Sequence, residues 1–272
     1  MTNKSFPTQL ITTSSLVDDL TALGVNQGDC LLVHCAFSKV GRPYGGVQAL
    51  IDALQSCLTA EGTLVMPTHS VQLTEPSKWQ NPPAPEDWWP TIRAELPAYD
   101  PKRTTTLAMG VLPETFRRYP NVLRSGHPHG SFAAWGKAAK RVTDGHKFPG
   151  IFGEQSPLAR LYELDAKVLL LGVGHGNNTS LHLSEYRADF PKPYHIEGAP
   201  ITIDGEHHWV EGEELKIDAD DFVALGEAFA QETKLQREGK IGKADSLLLP
   251  QPALVDFGAA WLSKHRSNNL ST

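Results

Sequence analysis

Between residues 13 and 23 apolar side chains return at Leu16, Leu20 and Leu23, a three-and-four spacing that predicts an amphipathic helix. Ser14 or Ser15 is placed to cap it and Gly24 to stop it. Cys30-Leu31-Leu32-Val33 is a short unbroken apolar run that opens into a loop from His34 to Gly46. Val47 to Leu58 returns to helical spacing, and Gly62-Thr63-Leu64-Val65-Met66 is a second apolar run. Strands buried on both faces read as continuous apolar runs, so this strand–loop–helix–strand order predicts a parallel, helix-covered sheet. Lys167 to Leu171 is a third such run; it ends in Gly172 to Asn178 and leads into a helix-like segment, Thr179 to Ala188. Ile201 to Ile203 and His207 to Val210 flank Asp204-Gly205, a hairpin signal. Asp220 to Glu232 and Pro252 to Ser263 read as late helices. The predicted fold class is α/β, with a central mostly parallel or mixed sheet covered by helices. No linker divides the chain, so residues 1–272 are expected to form a single domain.

One stretch breaks the pattern. Thr74 to Pro101 carries seven prolines together with Trp79, Trp88 and Trp89, which excludes a long regular element. An aromatic-bearing loop of this length is either functional or held to the body by its tryptophans.

Composition narrows the class. Hydrophobic residues make up 40% and charged residues 21%, the balance of a chain that buries a core. The longest apolar runs fall far short of the roughly 20 residues of a membrane helix. Met1 to Gln9 lacks a basic-then-apolar export pattern, so the expected location is the cytoplasm. Cys30, Cys35 and Cys57 are odd in number and contain no C-x-x-C pair, so neither a disulfide framework nor structural zinc is expected. Cys30 and Cys57 sit among apolar neighbours as core thiols. A net charge of −6 argues against nucleic acid as partner and is compatible with a cationic one. The oligomeric state is left open.

Three segments hold candidate chemistry. His34-Cys35-Ala36-Phe37-Ser38 leaves a strand and runs to Gly45-Gly46 before a helix, a place where backbone N–H groups face an anion. It matches no nucleotide-binding glycine motif. Near Thr179, His182 and Glu185 stand three residues apart and share one helix face. A carboxylate beside an imidazole stabilises the imidazolium formed when the ring accepts a proton, which suits a general base. The same pair would also serve as a structural surface contact, or with His175 as part of a metal site, although no strong zinc spacing is present. Arg124-Ser125-Gly126-His127-Pro128-His129-Gly130-Ser131-Phe132 concentrates donors suited to an anionic or carbonyl-rich ligand. No G-x-S-x-G elbow is found.

Several pieces occur in one order over roughly residues 10 to 265: Gly28-Asp29 to Ser38, Gly45-Gly46, Glu61 to Ser70, Met109-Gly110, and Arg124-Ser125 with His127-Pro128 and Ser131-Phe132. Ala134-Trp135-Gly136, Phe152-Gly153-Glu154, Ser156-Pro157-Leu158, Leu169 to Val173, Asn178-Thr179 and His182 to Arg187 complete the set. Together they resemble the aminoglycoside 3-N-acetyltransferase family. The resemblance implies an α/β fold distinct from the common GNAT acetyltransferases. It implies acetyl-CoA as co-substrate and direct transfer to an amine, the 3-amino group of an aminoglycoside; because His182 and Glu185 lack a third ligand at a recognised spacing, no metal is expected. It makes His182 the general base, Glu185 its orienting carboxylate and Thr179 a hydroxyl near the thioester carbonyl. His34, Cys35, Ala36, Phe37 and Ser38, with Met109, Ser125, His127, Ser131 and Phe132, fall in segments that line the family's CoA site. Polycationic acceptors need carboxylates, so Glu75, Glu86 and Asp87, with Trp79, are the expected acceptor contacts. One departure is Cys35-Ala36, where the family commonly has two serines. The acceptor could also be another small amine, and two other classes stay open: metal-dependent amide hydrolysis through His175, His182 and Glu185, and a non-catalytic member of the fold that binds CoA without turnover.

Overall fold

The computed structural model describes residues 10–267, so Met1 to Gln9 lies outside the described residues. In chain order the elements are α1 (Thr13–Leu23), β1 (Cys30–Cys35), α2 (Phe37–Val40), α3 (Gly46–Leu58), β2 (Thr63–Pro67), α4 (Trp89–Glu95) and α5 (Val111–Phe116). There follow β3 (Leu123–Arg124), β4 (Phe132–Gly136), α6 (Ala139–Thr143), α7 (Pro157–Glu163), β5 (Lys167–Leu171) and α8 (Ser180–Arg187). The chain closes with β6 (Tyr194–Ile203), β7 (Glu206–Leu215), α9 (Phe222–Thr233), β8 (Arg237–Ile241), β9 (Ala244–Pro250) and α10 (Gln251–Arg266).

Seven strands form one sheet in the order β3-β4-β2-β1-β5-β9-β8. Only the central trio is parallel: Leu31 of β1 faces Leu64 of β2 on one side and Lys167 of β5 on the other. The flanking pairs β2–β4, β3–β4, β5–β9 and β8–β9 are antiparallel, so the sheet is mixed. Strand alternation divides the core in two. Leu31, Val33, Leu64, Met66, Leu169 and Leu171 pack under α1, α3 and α5. Leu32, Val65, Val168 and Leu170 pack on the opposite face with α6 to α10. By the same alternation His34 emerges on the face that carries α8. Among the described residues no helix is long and apolar enough to cross a membrane.

The three apolar runs are the three parallel strands, as the pattern predicted. Other details differ. Thr12, not Ser14 or Ser15, caps α1; Ser15 returns the hydrogen bond in a capping box. The stretch from Thr74 to Pro101 forms only short pieces, because Pro90 is tolerated at the first turn of α4 but nowhere deeper. The hairpin is a separate two-stranded ribbon of β6 and β7, turning at Asp204 (φ 51°) and Gly205 (φ 86°). Cys57 is buried and Cys30 partly buried against the core; no cysteine is in a disulfide.

Helix α10 lies directly on α8. Gly258 makes this approach possible, since a Cβ there would stand 2.5 Å from Ser184 Oγ. Ser184 in turn donates to the Val255 carbonyl at 3.1 Å. Gly258→Leu should therefore overpack the interface and cost about 1–3 kcal/mol, read as a lower urea midpoint. An unchanged midpoint would show that α8 is not held by this contact.

Candidate active site

Loops leaving β1 run toward β2, whereas the chain beyond β5 reaches α8, α9 and the β8–β9 edge. In an open sheet this divergence at the C-terminal strand ends leaves a crevice. A cavity of about 320 Å³ occupies it. Val33, His34 and Cys35 come from the end of β1, Pro67 from the end of β2 with His69 two residues beyond it, and Val173 with Gly176 to Thr179 from the segment after β5. His182, Met109, Phe152 and Phe222 complete the parts of the wall that matter chemically.

His182 projects from the first turns of α8, whose start is fixed by Asn178 Oδ1 accepting from Ser180 N at 3.3 Å. Its Nδ1 lies 2.5 Å from Glu185 Oε2. The imidazole is sandwiched: Phe152 stacks on it at 5.1 Å and 10°, and Phe222 tilts against it at 4.9 Å. Glu185 is 1% exposed. Its other oxygen accepts from Asp218 N at 2.9 Å and Arg266 Nη1 at 2.6 Å. Helix spacing alone therefore brings the pair together, and three distant elements fix it. The loop bearing Phe152 is fixed too, because Glu214 of β7 accepts from Gly150 N at 2.9 Å and Ile151 N at 3.2 Å.

The other lining histidines are different. Burial, with His182 nearby, pushes His34 down to about 3, and burial pushes His69 down to about 3 beside a cluster of imidazoles. His129 is lowered mainly by burial. These rings are neutral donors or acceptors at neutral pH, and His34 Nε2, His69 Nε2 and Asn178 Nδ2 are buried without a hydrogen-bond partner among the described residues. Of the lining histidines only His182 has a carboxylate on a ring nitrogen. Burial pushes the Cys35 thiol up to about 12, so it is a poor nucleophile. Cys30 is likewise pushed up to about 12 by burial and Asp29, and Cys57 is raised chiefly by burial.

Of the residues singled out from sequence, the structure gathers His34, Cys35, Met109, Thr179 and His182 on one cavity, with Glu185 directly behind His182. Ala36, Phe37 and Ser38 follow at the turn into α2, with Ser38 exposed. Ser125, His127, Ser131 and Phe132 are buried and lie outside the lining. Ser125 bonds His146 and Phe132 N; Ser131 donates to Thr68 O; His127 Nε2 is 3.3 Å from Glu214. Arg124 spends its donors on Thr68, Ser70, Ser131 and Thr104, bracing the strand end that carries His69. Glu75, Trp79, Glu86 and Asp87 also lie outside the lining. Glu75 is buried and held in a forked pair by Arg93, whereas Glu86 and Asp87 are exposed. His175 turns toward Gln236, at 3.0 Å, and among the described residues no group of three His, Cys, Asp or Glu is arranged to hold a metal ion. Phe222 and Arg266 are not singled out by the sequence, and His69 and Phe152 enter there only as pieces of the family resemblance, with no site role. A histidine two residues beyond a buried strand was the available signal for His69.

The model of the family described as aminoglycoside 3-N-acetyltransferase matches residues 32–263. The chain is 42% identical to the SPbeta prophage-derived aminoglycoside N(3')-acetyltransferase-like protein YokD of Bacillus subtilis (strain 168), over 95% of each chain. It is 36% identical to aminoglycoside N(3)-acetyltransferase VII of Streptomyces paromomycinus, over 93% of this chain and 92% of that one. The crystal structure of YokD superposes with a TM-score of 0.93, covering 97% of both chains at 41% identity. A structure titled AAC-IIIb binary with CoASH superposes at 0.86 with 33% identity, covering 96% of this chain and 99% of that one.

The neutral histidines make acid stability testable. Between their ordinary value of 6.5 and about 3, His34 and His69 bind a proton in the unfolded chain but not in the folded one. Their contribution is full above pH 6.5 and is lost as pH falls through that window. Urea midpoints should fall as the pH is lowered from 7 toward 4, and His69→Gln should flatten the slope. Equal slopes in the two proteins would contradict the burial effect.

Proposed function

The chain belongs to the aminoglycoside 3-N-acetyltransferase family, and on that premise we propose that it transfers the acetyl group of acetyl-CoA directly to the 3-amino group of an aminoglycoside, with His182 as general base. The single observation that carries this reading is the His182–Glu185 contact at the cavity floor. Glu185 occupies Nδ1, so Nε2, which makes no hydrogen bond among the described residues, is the atom left for an incoming amine. The CoA thioester supplies the activated acetyl carbon. The amine nitrogen forms the new C–N bond as His182 takes its proton, and the C–S bond breaks to release CoA. That proton then passes to the departing sulfur. Glu185 stabilises the imidazolium in between, while Phe152 and Phe222 keep the ring in its plane.

The lining fits such a donor. Thr179 and the unpartnered Asn178 amide lie on the cavity with free donors for a carbonyl oxygen that gains charge. Asn178 thus joins Thr179, which the sequence had singled out alone. His34, Cys35 and Met109 form the donor side, and with no serines at 35 and 36, backbone N–H groups carry more of the anion binding. Ser125, His127, Ser131 and Phe132 would act from behind, by shaping this wall. No covalent enzyme intermediate is needed, in keeping with the protonated Cys35 thiol. On the acceptor side Glu86 and Asp87 are free to meet a polycation, whereas Glu75 is committed to Arg93.

His182→Ala should lower turnover of acetyl-CoA with an aminoglycoside by about 10²–10⁴-fold while CoA binding, read by calorimetry, stays nearly unchanged. Glu185→Gln should cost less and move the acid limb of the rate profile to lower pH. A folded His182→Ala protein with wild-type turnover would end the assignment. Turnover should also survive chelation; loss restored by one specific cation would revive metal-dependent hydrolysis. An acceptor panel of aminoglycosides and simple amines, followed by acetyl-CoA consumption, separates the two acetyltransferase readings.

A further inference from the structure

We infer that Arg266, at the far end of α10, is a positioning residue that sets the charge balance of the His182–Glu185 pair. This rests on the general-base reading above. Arg266 is 81 positions from Glu185 in sequence, yet its Nη1 donates to Glu185 Oε1 at 2.6 Å. The rest of its fork is equally engaged. Nε and Nη2 donate to the two oxygens of Asp221 at 2.8 and 2.7 Å, and Nη2 also reaches the Asp218 carbonyl at 2.7 Å. The guanidinium side chain is 13% exposed and stands 5.4 Å from the Phe190 ring. Only a planar fork serves Glu185 on one edge and Asp221 on another.

The charges around Glu185 make this more than packing. From α8 it faces His182 and Tyr186; from the segment before α9, Asp218 and Asp221; from α10, Arg266. Across the cavity His34 and His69 are kept neutral by burial, and Lys216 and Asp220 border the depression on the solvent side. Asp218 takes part through its backbone, its exposed carboxylate accepting from Asp220 N, so within the cluster two carboxylates, Glu185 and Asp221, and one guanidinium leave a net charge of −1, which one proton on His182 cancels. Without the guanidinium, two anions would share a mostly buried site and draw a proton at higher pH. Whether that proton rests on the imidazole or the carboxylate is immaterial, because the working state is the pair with none. Loss of Arg266 must therefore move the acid limb upward, opposite to the loss of Glu185.

The test is the pH profile of acetyl-CoA consumption for wild type, Arg266→Gln, Arg266→Lys and Glu185→Gln, each normalised to folded protein. Arg266→Gln should move the acid limb up by about one pH unit or more. Arg266→Lys keeps the charge without the fork, so its limb should stay near wild type while kcat falls. Glu185→Gln should move the limb down. A folded Arg266→Gln protein with the wild-type limb overturns the inference, since a purely structural arginine changes stability alone. If Arg266→Gln does not fold, Asp221→Asn carries the test: removing one anion should lower the limb, and no shift overturns the inference. Wild-type turnover in His182→Ala would instead overturn the general-base reading itself.

Discussion

A carboxylate that is 1% exposed has to be stabilised by its surroundings, and Glu185 organises this protein around that requirement. Leaving a buried charge unpaired costs several kcal/mol, so each of its contacts is structurally demanded. One comes from its own helix, one from a backbone N–H before α9, and one from the last turn of α10. Three segments that are far apart in sequence are thereby drawn to one point. The tight seat of α10 on α8, made possible at Gly258, is the packing counterpart of the same demand.

The parallel trio sets where this point lies. Strands β1, β2 and β5 end together, and their exits diverge, so His34, His69 and the Gly172 to Thr179 segment are delivered to one crevice by topology. The ribbon of β6 and β7 lies outside the main sheet, yet Glu214 holds the loop that presents Phe152 to His182. Position, ring plane and carboxylate partner of the His182 imidazole are thus controlled from separate elements.

Much of this was legible beforehand. Cys30 to Val33, Gly62 to Met66 and Lys167 to Leu171 read as buried strands because burial on both faces leaves their interiors apolar, with Thr63 and Lys167 only at the strand starts. The His182–Glu185 pair was legible because three residues is one helical turn. The flanking strands were not: Arg237–Ile241 carries Arg237, Glu238 and Lys240 on a sheet edge, and edge strands lose the apolar signature. Arg266 lies beyond the expected end of the last helix at Ser263, and nothing local marks a partner 81 residues away. Polar residues in a turn-rich loop carry no sign of burial, so the sequence does not show that Ser125, His127 and Ser131 are buried and bonded to His146, Glu214 and Thr68.

The state of the thiols has a practical side. Cys30, Cys35 and Cys57 are all displaced toward the protonated form, so little thiolate is present near neutral pH. A chromogenic disulfide reagent would find few competing sulfurs on the protein, and under the proposed acetyl transfer the CoA thiol released would supply nearly all of the colour. Turnover could then be followed continuously, without separating product from enzyme.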